Sequence, residues 1–320
     1  MLTRSLVIGV PLLLSFFVAG CDNNDTTTAT TNNASTNETI TIVHEQGTTT
    51  VPVNPQKVVV FNTATLDTMD ALGIDVIAAV PQTSVHLPDF LKKYEGSDYI
   101  NAGGFFEPNY EVLSNLKPDL IIAGGRTNDA YDKLSEIAPT ISLAVDTKDF
   151  VNSMVHRIEQ LGQIFNKQAE AKTLTDEFKA KITKVKEKSA NHGTAMVIMI
   201  NGGKMSAYGP GSRFGFIYDE LGFKPATSFA QTGTHGNVVN AELLLSVNPD
   251  WLFVLDRDSA IGNNEALAAK QVLDNALMHK TKVWQNNKIV YLDSSAMYIA
   301  GGLQTYNQLL DQINQVLEQE

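Results

Sequence analysis

The 320-residue sequence has a single cysteine, so it cannot form a disulfide within the chain. It also has no run of lysine and arginine, which disfavours nucleic-acid binding. Lysine and arginine number 24 against 35 aspartate and glutamate residues, a formal net charge of −11. Without the first twenty residues, which hold Arg4 and no acid, the balance is 23 to 35, or −12. An acidic protein that still directs several arginines at one site is expected to bind an anionic ligand there.

Sequence motifs of common enzyme classes are absent as well. There is no Gly-x-Ser-x-Gly, no His-Glu-x-x-His and no Gly-x-x-x-x-Gly-Lys-Ser/Thr. The bend at residues 209–211 is not a dinucleotide fingerprint, because its third glycine is misplaced. Most histidines are scattered along the chain, which argues against a zinc or manganese site: His44, His86, His156, His192 and His279. We therefore predict a protein that is not an enzyme and has no permanent cofactor.

The N-terminus has the features of a bacterial export signal. Arg4 supplies a positive charge, and residues 6–18 form an apolar run too short for a comfortable transmembrane helix. Val18-Ala19-Gly20-Cys21 looks like a lipobox, which predicts cleavage after residue 20 and lipidation of Cys21. The alternative is a plain secretory signal followed by an accidental cysteine. Asp22, by resemblance to Gram-negative lipoproteins, favours retention at the inner membrane.

The rest of the chain divides by composition and periodicity. Residues 21–39 are almost all small or polar and are predicted to be a flexible tether. Strand and helix patterns alternate over residues 40–148 and again over 191–320, which predicts two α/β lobes. Between them, residues 149–190 keep a helical period with a polar break at 166–168, which predicts two helices. The expected fold class is α/β, with two Rossmann-like lobes joined by a long rigid helical connector.

One pattern occurs twice, at residues 109–126 and 240–257. In each copy asparagine precedes a short amphipathic pattern, then come Pro-Asp, an apolar run and an arginine. Glu111 and Glu242 lie seven residues before their prolines, and Arg126 and Arg257 lie eight residues after them. Open α/β sheets bind ligands at the carboxyl ends of strands, where these arginines are expected. We interpret the repeat as two related lobes, each giving an arginine to a shared site and a glutamate to a shared partner. A chance match is the alternative.

Three further side chains are candidates for the same site. Arg213, in a glycine-rich bend, joins Arg126 and Arg257 as a loop arginine suited to an oxyanion, although any one could be a surface ion pair. His235, between glycines 233 and 236, is either a metal-ligating imidazole or an exposed capping residue. Tyr298 precedes a Gly-Gly pair and is either a hard donor for Fe(III) or a packing residue.

These motifs resemble the iron–siderophore substrate-binding lipoproteins of bacterial ABC importers, in their catecholate-binding branch. The resemblance covers roughly residues 40–320. It is most specific in three segments, which are Tyr208-Gly209-Pro210-Gly211-Ser212-Arg213-Phe214-Gly215, Leu255-Asp256-Arg257-Asp258-Ser259-Ala260-Ile261-Gly262 and the closing Tyr-x-x-Gly-Gly at residues 298–302. The resemblance implies a class III, helical-backbone periplasmic binding protein with its ligand in a shallow cleft between the lobes.

The resemblance also implies residue roles. An arginine triad neutralises catecholate oxygens in that family, and the matching residues here are Arg126, Arg213 and Arg257. A histidine and a tyrosine complete the iron coordination when a tetradentate siderophore leaves two positions open, matching His235 and Tyr298. The sequence departs from the family at Met297, where an aromatic residue is common, which bears on the shape of the cleft and hence on ligand preference.

Partners follow from the same resemblance. One glutamate per lobe docks onto arginines of the permease in that family, and Glu111 and Glu242 match, with Glu107 a nearby competitor for the first. The expected protein is a monomer in the periplasm or at the cell surface that carries a ferric siderophore as transported ligand. Rival ligands on the same scaffold are haem, cobalamin or a hydroxamate siderophore. A surface adhesin or scaffold is a further rival, but it would leave the repeated arginines unexplained.

Overall fold

The computed structural model describes residues 38–229, 235–263 and 267–319. The predicted signal peptide, the predicted lipidation site at Cys21, Asp22 and nearly all of the predicted tether lie outside these residues. Within the described part of the chain, no helix combines the length and apolarity needed to cross a membrane.

The N-terminal half is built around a parallel sheet. The strands of this half are β1 (Thr39–His44), β2 (Gly47–Pro52), β3 (Val58–Val60), β4 (Ile77–Val80), β5 (Ile100–Asn101), β6 (Leu120–Ala123) and β7 (Thr140–Ser142). Its α-helices are α1 (Thr63–Ala71), α2 (Tyr110–Leu116) and α3 (Tyr131–Ser135). The first two strands form a separate antiparallel hairpin, and the others form a sheet of order β5-β4-β3-β6-β7. Every residue of β3 and β6 is buried, as expected for central parallel strands covered on both faces.

Two helices connect this half to the next, α4 (Phe150–Ile164) and α5 (Gln168–Ser189). The prediction of two helices with a break near residue 166 is confirmed, and Asn166 makes the break in the left-handed region at φ 55°. The helices pack against each other rather than forming one long rod. Arg157 Nε of α4 donates to the Ala144 carbonyl at 2.9 Å, whereas Lys181 Nζ of α5 contacts Asp311 at 2.7 Å. Helices α4 and α5 together are therefore bonded to both halves of the chain.

The C-terminal half contains a mixed sheet. Its strands are β8 (Thr194–Asn201), β9 (Lys204–Tyr208), β10 (Lys224–Pro225), β11 (Asn237–Val239), β12 (Trp251–Asp256) and β13 (Ile289–Tyr291). Its α-helices are α6 (Phe216–Asp219), α7 (Ala241–Val247), α8 (Arg257–Ala260), α9 (Ala269–Leu273), α10 (Lys282–Gln285) and α11 (Leu303–Glu318). The strand order is β11-β9-β8-β12-β13, with β10 beside the start of β8. Strands β8, β12 and β13 are parallel, and β9 is antiparallel to β8 and β11.

The repeated sequence folds as the same unit in each half. Asn109 and Asn240 cap α2 and α7 with their side chains, and both helices end at a left-handed residue. The aspartate of each Pro-Asp pair then holds the neighbouring strand. Asp119 Oδ2 accepts from the Lys57 amide at 2.9 Å, and Asp250 Oδ2 accepts from the Thr194 amide at 2.9 Å. The repeat therefore encodes a helix, a turn and a strand fastened to the centre of each sheet.

Several helices of the described chain are short. Helix α6 covers only Phe216–Asp219 and follows a bend braced by side chains. Helix α9 covers only Ala269–Leu273, and residues 264–266 shortly before it lie outside the described part. The 3₁₀ turn Gly125–Ala130 leads directly into the short helix α3. Helix ends depend on such local contacts, which periodicity does not reveal.

One apolar cluster runs through both halves and the connecting helices. It joins buried side chains of both sheets, of α4 and α5, and of α11, among them Val58, Leu120, Ile158, Phe178, Phe253 and Leu310. Burial of this kind is the dominant favourable contribution to folding, at about 25 cal/mol per Å² of apolar surface. The described residues accordingly belong to one compact unit.

Candidate functional site

A cleft of about 420 Å³ lies where segments of the two halves meet. Its N-terminal wall is made by residues 61–64 after β3, by residues 124–126 after β6, and by Phe105. Its C-terminal wall is made by Arg213 and residues 298–300. Strands β3 and β6 are neighbours, but the chain continues from β3 to β4 on one side and from β6 to β7 on the other. This wall therefore lies at a topological switch point, at the carboxyl ends of a parallel sheet.

Three arginines surround the ring of Tyr298. The guanidinium carbons of Arg213, Arg257 and Arg126 lie 4.6, 5.3 and 5.8 Å from the ring centre. Arg257 Nε also donates a hydrogen bond to the Tyr298 hydroxyl at 2.8 Å. We call Arg126, Arg213 and Arg257 the arginine cluster. The structure thus brings together four of the five side chains predicted to meet the ligand.

Two of these arginines are held by short helical turns rather than by loops, which corrects the sequence-based prediction. Arg126 lies in the 3₁₀ turn Gly125–Ala130, and Arg257 is the first residue of α8. Asp256 caps α8 by accepting from the Ser259 amide at 3.0 Å, and Asn201 Oδ1 accepts from Arg257 Nη1 at 3.1 Å. Helix starts this short carry no amphipathic period, which is why the sequence did not indicate them.

Arg213 reaches the cleft through a braced bend after β9. Ser212 Oγ donates to the Gly209 carbonyl at 2.6 Å, and the Gly211 amide donates to Asp219 Oδ2 at 2.7 Å. Arg213 Nη2 then donates to the Tyr298 carbonyl at 2.6 Å. The guanidinium is therefore fixed before any ligand arrives, which reduces the ordering cost of binding.

The electrostatics of the cluster favour negative charge. Burial alone would raise the pKa of the Tyr298 phenol, but the hydrogen bond from Arg257 and the charges of the whole cluster outweigh it and lower the pKa from its ordinary value. Burial and the charge of Arg126 lower the pKa of the Arg213 guanidinium, which nevertheless stays charged. Cations held this close together repel one another, and an anionic ligand would relieve the repulsion.

His235, the fifth predicted ligand contact, is exposed in the turn before β11. Among the described residues it makes no side-chain hydrogen bond, and residues 230–234 before it lie outside the described part. The β9–β11 pairing begins at Asn237, which pairs with Ala207, so His235 lies two residues before the paired strand. Gly236 between them has a φ of +68°, and a β-carbon at this position would collide with the Ala207 carbonyl oxygen and the Tyr208 ring. Among the described residues, no hydrogen bond or ring contact joins the imidazole to the arginine cluster.

Glu111 and Glu242 occupy the first turns of α2 and α7 and are exposed. Neither side chain makes a hydrogen bond or salt bridge to another residue of the described ranges. Glu107 is exposed too, in a tight turn where its carbonyl accepts from the Gly104 amide at 2.9 Å. All three carboxylates are therefore available to a cationic partner.

Three cleft features escaped sequence reasoning. Phe105 lines the cleft with its ring 5.8 Å from the Arg126 guanidinium carbon, and Asn201 positions Arg257. Thr63 lines the cleft and donates to the Ile299 carbonyl. The Gly-Gly pair before Phe105 was the available signal for the first, whereas Asn201 and Thr63 have no distinctive local pattern. Within the described residues, no group of three or more His, Cys, Asp and Glu could hold a bare metal ion.

Comparison with known proteins gives consistent matches. The family model for periplasmic binding proteins matches residues 58–296. The petrobactin-binding protein YclQ of Bacillus subtilis is 37% identical over 316 residues, 97% of each chain, and its crystal structure has a TM-score of 0.83 over 88% of this chain and all of that one. The ferric-anguibactin-binding protein FatB of Vibrio anguillarum is 34% identical over 269 residues, 81% of each chain. The periplasmic catecholate-siderophore binding protein VctP of Vibrio cholerae is 33% identical, with a TM-score of 0.81 over 86% of this chain and 99% of that one.

Proposed function

Because the chain belongs to the periplasmic binding protein family, we propose that it captures a ferric catecholate siderophore outside the cytoplasm and delivers it to the permease of an ABC importer. The similar proteins named above bind petrobactin, ferric anguibactin and a catecholate siderophore. The family consists of substrate-binding transport proteins, and we propose that this member likewise catalyses no reaction and has no permanent cofactor.

The arginine cluster around Tyr298 is the observation that carries this proposal. An Fe(III) complex of three catecholates has three negative charges, and a complex of two has one. Three guanidinium groups offset the larger charge fully and offer planar donors to the catecholate oxygens. Haem or cobalamin would need an axial-ligand pair or stacked rings and would not need three arginines, so the cluster favours catecholates over these rivals.

We further propose that Tyr298 and His235 bind the iron when a ligand supplies only two catecholates. Two catecholates occupy four of six coordination positions, which leaves two open. The lowered pKa of Tyr298 favours a phenolate, a hard oxygen donor suited to Fe(III). His235 is proposed for the second position because its imidazole is exposed and can coordinate a metal, and it lies two residues before β11, the strand that pairs with β9.

The remaining assignments belong to transport. We propose that Glu111 and Glu242 dock onto arginines of the permease, one from each repeat unit, because both are exposed and unpaired within the described chain. Lipidated Cys21 would anchor a monomer to the membrane through the tether at residues 21–39, with Asp22 favouring the inner membrane. Two lobes, residues 40–148 and 191–320, would bind the ligand between them, joined by residues 149–190.

A fluorescence titration tests the class of ligand. Protein comprising residues 22–320 is titrated with a ferric tris-catecholate, a ferric bis-catecholate, a ferric hydroxamate and haem, following quenching of its tyrosine and tryptophan emission. Saturable submicromolar binding confined to the catecholates is expected. Binding only to the hydroxamate or to haem would retain the fold and refute the proposed role of the arginine cluster.

A further inference from the structure

The segment that carries Tyr298 is fastened to a helix of the other half. Tyr298 lies in the π-helical turn Ala296–Ala300, which leads through two glycines into α11. Thr63, at the start of α1, donates from Oγ1 to the carbonyl of Ile299. With Arg213 bonded to the neighbouring Tyr298 carbonyl, two successive carbonyls of this turn are held from outside it.

Asp67 of α1 provides the cap that α11 lacks. Gly302 is the residue before α11 and has no side chain with which to cap it. Asp67 Oδ1 accepts from the Gln304 amide at 2.6 Å, and its Oδ2 accepts from the amides of Gly302 and Thr305 at 3.1 Å each. A carboxylate at a helix N-terminus is stabilised by the free amides and by the helix dipole. The contact requires glycine at 302, because a β-carbon there would collide with the Ala64 carbonyl.

Thr305 connects Asp67 to the turn that carries Tyr298. Its hydroxyl donates to Asp67 Oδ2 at 2.7 Å and accepts from the Gly301 amide at 3.2 Å. Asp67 is completely buried, so these bonds are shielded from water. The backbone from the Tyr298 turn to the first turn of α11 is thus held from both ends by side chains of α1.

We propose that Asp67 and Thr63 act as positioning residues that hold Tyr298 within the arginine cluster. In this role they act through their hydrogen bonds to the backbone from which the phenol projects, and Asp67 is completely buried. This inference rests on the proposed function only in assigning Tyr298 to ligand binding. Sliding α1 against α11 would leave a buried carboxylate without its partners, which is costly. The phenol therefore has one position relative to the N-terminal wall of the cleft.

The first test needs no ligand. The full chain, purified in detergent and labelled with 3-fluorotyrosine, is examined by ¹⁹F NMR, with the Tyr298 resonance assigned by its loss in Tyr298→Phe. Thr63→Val, Thr305→Val and Asp67→Asn should shift or broaden that resonance, because the ring leaves its single position. The control is Asp70→Asn, on the same helix, whose carboxylate accepts from the Gln304 side chain rather than from the backbone of α11.

The outcomes separate positioning from folding. Thr63→Val and Thr305→Val remove one hydroxyl each and keep side-chain volume, so they remain informative if Asp67→Asn does not fold. An unchanged Tyr298 resonance in both threonine variants would overturn the proposal. A general shift of all tyrosine resonances, matched by Asp70→Asn, would also overturn it, because it would indicate loosened structure rather than a displaced phenol.

A second test uses the ferric complexes of a tetradentate bis-catecholamide and a hexadentate tris-catecholamide. Thr305→Val should weaken the bis-catecholate about tenfold and the tris-catecholate less than about twofold, since only the former needs the phenol and Thr305 is not among the residues that line the cleft. Equal losses for both complexes would refute positioning of an iron-binding phenol. If the Tyr298 resonance shifts in the threonine variants but neither complex binds to the unaltered chain, the positioning role stands and the proposed ligand class fails.

Discussion

Arg126 is the member of the arginine cluster whose replacement should change binding and leave folding alone. Its guanidinium makes no hydrogen bond or salt bridge to another described residue, and its carbon lies 5.8 Å from the ring centres of Phe105 and Tyr298. Arg126→Gln also removes a positive charge that disfavours the charged form of Arg213. We therefore expect the free energy of unfolding to stay the same or to rise slightly.

The effect on binding can be worked from the geometry. Arg126 lies 5.8 Å from the Tyr298 ring centre, a spacing we take for its distance to a bound oxyanion. At an effective dielectric constant of about 20, a unit charge at that distance contributes about 3 kcal/mol. Screening at this half-exposed side chain reduces the contribution to about 1–2 kcal/mol. Arg126→Gln should therefore weaken a ferric bis-catecholate by about fivefold to thirtyfold, and a tris-catecholate more, because its charge is larger.

The assay is a fluorescence titration at two salt concentrations with a matched control. Lys133→Gln removes an exposed cation of the same half, whose Nζ lies 5.6 Å from the Tyr110 ring centre, away from the cleft. Binding to the unaltered protein should weaken with salt more steeply than binding to Arg126→Gln, because one screened attraction is missing from the variant. If Arg126→Gln and Lys133→Gln bind equally well, attraction between the cluster and the ligand is not the basis of recognition.

The remaining predictions concern the phenol, the buried acid and the docking surface. Tyr298→Phe should weaken a ferric bis-catecholate by about tenfold or more and remove its shifted charge-transfer band, but change a tris-catecholate little; equal losses in both titrations would contradict iron binding. Burial raises the pKa of the Asp67 carboxyl to about 6, so the protonated carboxyl stabilises the folded protein fully below about pH 4, and this stabilisation is lost as the pH rises through about 6. The free energy of unfolding in urea, measured for the unaltered protein relative to Asp67→Asn, should therefore fall by about 3 kcal/mol between pH 4 and pH 7. A difference that stays constant with pH would refute this. Glu111→Ala combined with Glu242→Ala should leave siderophore affinity intact and reduce uptake by cells, whereas Glu187→Ala on the connecting helices should affect neither; normal uptake by the double variant would rule out the docking role.

The repeat units could be predicted because everything that defines them is local. Asparagine caps, the helix period, the Pro-Asp turn and a buried strand all lie within eighteen residues in each copy, and the structure repeats them. The prediction that Arg126 and Arg257 meet at one site rested on their equal distance in sequence from the two prolines. The α/β class and the family were likewise predicted correctly, since alternating elements and short motifs determine them.

The contacts across the cleft could not be predicted in the same way. Asp67 lies in a segment typical of an ordinary surface helix, and its partners follow more than 230 residues later. No local pattern shows that a carboxylate on α1 caps α11, or that Arg213 and Arg257 bond to the backbone and the hydroxyl of one tyrosine. Such contacts depend on how the two halves pack, and that packing is set by the shared apolar core rather than by a motif.

The two halves contribute unequally to the site although the repeat unit is common to both. Each unit supplies one arginine, but the third, Arg213, and Tyr298 both come from the C-terminal half, outside the repeat. The N-terminal wall offers Arg126 together with the aromatic rings of Phe61 and Phe105 and the polar start of α1. On the proposed function, charge recognition is concentrated in the C-terminal half, and any oxyanion complex of the right size would satisfy it. Discrimination between siderophores that carry the same charge must then depend on the shape of the N-terminal wall, against which Thr63 and Asp67 hold the phenol at a fixed position.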